Sequence, residues 1–116
     1  MYKLVILIEP PTDINAFESQ WPEFLHLVEA MPGLRKEATS RIEQFLYGAT
    51  PYYQMHELFF DTQAAAEQSL ASPSGQAAGR LLQQITGGRM TLYFADHRED
   101  DLAHIQRFKQ DSRASG

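Results

Sequence analysis

Residues 55–60 read MHELFF. Aliphatic or aromatic side chains stand at both parities of this run, so either face of an extended chain here is apolar. A sheet with helices on one side only alternates apolar and polar residues. MHELFF does not alternate, and it reads as a strand covered on both faces. His56 and Glu57 are consecutive in that strand, project to opposite faces and form no dyad within it.

Upstream of it, Gly48-Ala49-Thr50-Pro51 reads as a turn, preceded by a second aromatic and aliphatic stretch at 36–47. Joined through that turn, 36–47 and 52–61 are expected to form an antiparallel hairpin. Residues 3–9 are a run of branched aliphatics stopped by Pro10-Pro11, which favours a strand. Between these strands, Ile14, Phe17, Trp21, Phe24, Val28 and Met31 recur at spacings of three and four and share one helix stripe. Thr12 or Asp13 can cap that helix, Pro32-Gly33 ends it, and Pro22 inside it predicts a kink or a short break.

Downstream, TQAAAEQSLA at 62–71 consists largely of helix formers, and Ser72-Pro73 caps and restarts a helix that continues through Ala77, Leu81 and Ile85 to Gly87-Gly88. The last strand, 89–97, alternates Met90, Leu92 and Phe94 with Thr91, Tyr93 and Ala95. The order βαββαβ predicts the ferredoxin-like α+β arrangement, a four-stranded antiparallel sheet with the helices on one face. Residues 1–98 are expected to be that domain, and 99–116 a helical extension through Leu102, Ile105 and Phe108 with a flexible tail.

If Leu4, Ile6, Ile8, Leu58, Phe60, Leu92 and Phe94 face the helices, the other side still carries Val5, Leu7, Phe45, Tyr47, Met55, Phe59 and Tyr93. That is too much apolar surface for a soluble monomer to expose. A second copy is the expected cover, since a two-fold axis buries one self-complementary patch against itself. Val5, Leu7, Phe45, Tyr47, Glu57, Phe59 and Tyr93 are the expected interface of a homodimer, with Glu43, Arg41 and Thr91 available to pair across it. Two such sheets face to face make a dimeric α+β barrel.

Composition narrows the function classes. A chain of 116 residues allows one domain. Its net charge of −5 disfavours nucleic acid, which demands a basic patch. The apolar run 4–8 is too short for a membrane span or a signal peptide, and the chain is expected in the cytoplasm. Without cysteine there is no thiol nucleophile or thiolate metal site. His26, His56, His97 and His104 lack metal-ligand spacing, so no metal or other cofactor is expected. GQAAG at 75–79 has neither the preceding strand nor the lysine of a phosphate loop and reads as close helix packing.

The stretches YKLVILIEPP (2–11), MPGLRK (31–36) and HELFFDTQAAAEQSLASPSGQAAGRL (56–81) resemble the EthD family, named for ethyl tert-butyl ether degradation, within the dimeric α+β barrel group. The resemblance spans about residues 2–97. Its most specific parts are Pro32-Gly33-Leu34 and the passage from Glu57 to Ala71-Ser72-Pro73. It implies a small homodimer with a pocket between sheet and helices, in a group that binds small, often aromatic molecules and includes cofactor-free oxygenases, isomerases, cyclases and decarboxylases. Family members commonly carry a histidine eight residues before the proline of Pro-Gly-Leu. Here that position is Phe24.

Within that frame the expected ligand pocket is Trp21, Phe24, Gln54, Phe60 and Phe94, aromatics with one amide, as apolar pockets commonly are. His56 is the candidate general base, because a buried imidazole stays neutral and accepts protons. The alternative is a core-edge histidine satisfied by its neighbours. The leading expectation is therefore a homodimer that binds a small apolar or aromatic molecule in a degradative or secondary-metabolic pathway. The rivals are a cofactor-free oxygenase, isomerase or decarboxylase using His56, and a non-catalytic accessory subunit.

Overall fold

The computed structural model describes residues 1–103. The expected C-terminal extension, including Ile105 and Phe108, falls outside them beyond Ala103. The elements are β1 (Tyr2–Ile8), α1 (Ile14–Glu29), β2 (Lys36–Arg41), β3 (Gln54–Phe60), α2 (Gln63–Ala71), α3 (Pro73–Thr86) and β4 (Met90–Asp96). They form one four-stranded sheet in the order β2-β3-β1-β4. Every neighbouring pair is antiparallel, so the fold is the expected ferredoxin-like α+β arrangement.

Each helix begins where the sequence supplies an acceptor. Asp13 Oδ1 takes the Ala16 N–H at 3.1 Å, and Thr62 Oγ1 takes that of Ala65 at 3.1 Å. Ser72 Oγ accepts from the Gly75 N–H at 3.1 Å and caps α3, so α2 and α3 meet at a corner as expected. Gly75 allows this corner. A Cβ there would lie 2.1 Å from the Ser69 carbonyl oxygen.

Two local expectations are corrected, the break at Pro22 and the length of β2. Helix α1 runs through Pro22 without a break. Pro22 is exposed, so the Glu18 carbonyl that loses its donor lies on the solvent side, while Phe17, Trp21, Phe24 and Val28 are buried on the other. Burial of those side chains, at about 1.5–3 kcal/mol each, outweighs one missing hydrogen bond. Second, β2 ends at Arg41 and does not continue to Tyr47. Beyond Arg41, β1 on the far side of β3 has already ended at Ile8, and a two-stranded extension without a third strand or a helix layer is only marginally stable. Residues 42–53 form a loop, with the Ile42 N–H bonded to the Tyr53 carbonyl at 3.0 Å.

Register fixes the two faces. Leu4, Ile6 and Ile8 pair with Leu58, His56 and Gln54 and face the helices, where they are buried. Leu92 and Phe94 are on the same face by their pairing with Ile6 and Leu4, yet are 47% and 40% exposed. The helices cover the sheet from β3 to β1 and leave the β4 edge open.

The other face carries Val5, Leu7, Glu57, Phe59 and Tyr93. Lys3 and Glu57 form an ion pair at 2.5 Å in its middle. Phe59 is buried beneath the Lys36 ammonium, 4.5 Å from the ring centroid, and His97, 4.9 Å away. Phe45 and Tyr47, expected here as strand residues, lie on the 42–53 loop with exposed side chains. Arg41 faces the helices instead, by its pairing with Gln54.

Candidate functional site

Two regions between sheet and helices differ in chemistry. Beneath α1, the alternation of β2 turns Glu37, Thr39 and Arg41 toward the helices opposite Leu58, His56 and Gln54. Thr39 Oγ1 lies 2.8 Å from His56 Nδ1. Arg41 donates to Gln54 Oε1 at 3.2 and 3.3 Å and to Glu18 Oε1 at 2.6 Å, and the Tyr53 hydroxyl donates to the same Glu18 oxygen at 2.5 Å. Trp21 meets the His56 ring edge-on at 5.2 Å and 87°, and Phe24 does so at 6.0 Å and 68°.

His56 has no exposed surface, and burial pushes its pKa down to about 4, with the Glu57 charge opposing weakly. The imidazole is therefore neutral near pH 7. Its Nε2 stands 3.8 Å from Glu37 Oε2. That is too long for a hydrogen bond and, with a neutral ring, is no ion pair. His56 Nε2, Glu37 Oε2 and Gln54 Nε2 are all buried without a protein partner. Burial and the nearby Glu29 raise the pKa of Glu37.

The second region is an apolar cavity of about 50 Å³ between β1, β3, β4 and the helices. Its walls include Ile6, Phe24, Met31, Leu82, Gly79 and Leu92. Leu92 and Gly79 are exposed, so the cavity reaches the surface between β4 and α3. Phe24 belongs to both regions, touching His56 and lining the cavity. A larger groove of about 410 Å³, between the start of α1 and the end of α3, contains none of the expected ligand residues.

The expected pocket residues are thus divided. Trp21, Phe24 and Gln54 gather around His56, Phe60 is fully buried, and Phe94 stands at the β4 edge with its ring 5.4 Å from that of Tyr2. Sequence reasoning missed Glu37, Thr39 and Gly79. Alternation along β2 signals the first two once its register with β3 is known.

An EthD-family protein from Bacillus halodurans superposes with a TM-score of 0.78 at 28% identity, over 84% of this chain and 99% of that one. The chain is EthD-like. No family model matches it. The EthD-like chain is also 28% identical over 97 residues to an uncharacterized 11.0 kDa protein in the thcB-thcC intergenic region of Rhodococcus erythropolis, covering 83% of this chain and 94% of that protein. A dimeric ferredoxin-like protein of unknown function from Jannaschia shares the fold at a TM-score of 0.64 and 16% identity, over 83% and 98% of the two chains. So does SnoaB, a cofactor-independent oxygenase from Streptomyces nogalater, at 0.66 and 13%, over 85% and 94%.

Proposed function

We propose that this EthD-like chain is a homodimer that binds a small, largely apolar organic molecule between its sheet and helices, in the cytoplasm, as part of a degradative or secondary-metabolic pathway. Residues 1–98 carry that function. The observation that supports ligand binding is the apolar cavity that reaches the surface beside β4, where Leu92 and Phe94 stay uncovered on the helix side. A cavity of about 150 Å³ holds benzene. The cavity here is smaller, so a single-ring ligand displaces part of its wall, for which the flexible side chain of Met31 is suited.

The dimer reading rests on the open sheet face, with Val5, Leu7 and Tyr93 around the Lys3–Glu57 pair. Relatives of the same fold are described as dimeric, which supports it. Among the described residues no helix is long and apolar enough to cross a membrane.

Native mass spectrometry of the purified chain tests both parts, reporting subunit number and any small molecule retained. Gly79→Leu supplies the control, since a Cβ at Gly79 meets nothing within 4 Å and a larger side chain there fills the mouth. The expected outcome is a folded dimer that loses its small molecule. A load kept by Gly79→Leu overturns the cavity assignment, and a monomer at micromolar concentration overturns the dimer.

A second reading, a cofactor-free catalyst with His56 as general base, is favoured by the neutral imidazole and its unpartnered Nε2. It requires Trp21 or Phe24 to move aside, because His56 has no exposed surface.

A further inference from the structure

His56 Nε2 and Glu37 Oε2 face each other with neither paired, and their chemistry restricts what can satisfy both. When the Thr39 hydroxyl donates to Nδ1, the ring proton sits on Nε2 and points toward a carboxylate acceptor. When Nδ1 carries the proton and donates to Thr39, Nε2 is an acceptor and the matching state of Glu37 is the protonated acid. Each matched state offers one donor and one acceptor. A hydroxyl satisfies either, since it donates and accepts through a single atom. A carbonyl oxygen only accepts and an ammonium group only donates, so each leaves one of the two orphans unpaired.

Both atoms are sealed by their neighbours, so the pair takes a bridging atom only when the surrounding wall moves. With the two orphans 3.8 Å apart, an oxygen at about 2.8 Å from each closes a triangle. The walls around it are aromatic, since Trp21 and Phe24 meet the imidazole at their edges and Phe17 stacks on Trp21 at 5.5 Å. Phe24 is shared with the apolar cavity, so displacement of its ring joins cavity and polar pair into one space.

We propose that His56 and Glu37 are the receptor for a hydroxyl group and that the ligand of this chain is a neutral phenol-like molecule, its ring against Trp21 and its apolar remainder in the cavity beside Phe24. Thr39 is a positioning residue that holds the imidazole through Nδ1. The inference rests on the small-molecule reading above and adds the head group and its two partners.

The test titrates the full chain with 4-propylphenol, its methyl ether 4-propylanisole and propylbenzene. Fluorescence of Trp21, the single tryptophan, and the imidazole nitrogen NMR signals of His56 are followed. The phenol is expected to bind about tenfold more tightly than the ether, the effect of one net hydrogen bond, and to shift the Nε2 signal. In Glu37→Leu that difference should shrink below about threefold. Equal binding of all three compounds, an unmoved Nε2 signal, or a preference that survives Glu37→Leu overturns the hydroxyl receptor and leaves the apolar-ligand reading standing. Failure of all three to bind removes both. The wild-type nitrogen signals decide the matter even if Glu37→Leu does not fold.

Discussion

The helix-facing side of the sheet has a closed half and an open half. Over β3, helix α1 lays Phe17, Trp21, Phe24 and Val28 down so completely that a histidine and a glutamine are sealed in with them. Over β4, the same side leaves Leu92 and Phe94 exposed beside a glycine of α3. The closed half holds buried polar atoms without a protein partner, and the open half leaves apolar side chains at the surface.

Truncation should separate the two halves most clearly. Phe24→Ala should lower the unfolding free energy by about 3–5 kcal/mol in urea denaturation, because Phe24 is fully buried. Phe94→Ala should cost only about 1–2 kcal/mol, since 40% of its surface is already in water. Equal losses would erase the distinction.

The sealed imidazole provides the next effect. His56 is held at a pKa of about 4 in the folded chain against an ordinary value of 6.5, so the unfolded chain binds its proton first as pH falls. Its contribution is intact above pH 6.5 and is lost as pH drops from there through about 4. Wild type should therefore lose about 3 kcal/mol more than His56→Gln between pH 7 and pH 4. Parallel curves for the two proteins would show that the imidazole is not sealed.

The smallest effect is stabilising. Gly79 is helical and has open space where a Cβ would go, so Gly79→Ala should add roughly 0.5–1 kcal/mol. Gly75, four residues earlier in α3, permits no such change, because a Cβ there collides with the backbone of α2. A thermal melt of each variant checks this contrast. A destabilised Gly79→Ala would mean that the mouth of the cavity is tighter than described.

Much of this was legible in the sequence. MHELFF reads as a twice-covered strand because apolar residues stand at both parities, but which parity lies under the helices was an assumption that the register of β3 with β1 and the burial of Leu58 and Phe60 bear out. The sealed half was half legible. Trp21, Phe24, Gln54 and His56 follow from periodicity, but Glu37 and Thr39 depend on which residues of β2 oppose β3, and a strand taken as 36–47 gives no register. Aromatic composition at Phe45 and Tyr47 suggested a strand that the sheet has no third partner to support. The open half was hidden for another reason. Leu92 and Phe94 look like core in sequence, and only the position of α3 shows that the helices stop short of them.

The loop that replaced the expected strand end carries a consequence for handling the protein. Leu46 and Tyr47 are 83% and 97% exposed on a segment tied back by few backbone bonds, which makes them a natural cut site for a protease that prefers aromatic and leucine residues. Cleavage there severs β2 from β3 in the chain but not in the sheet. Chymotrypsin sensitivity at Tyr47 thus becomes a footprint, fast in a lone subunit and slowed wherever a second molecule lies across the loop.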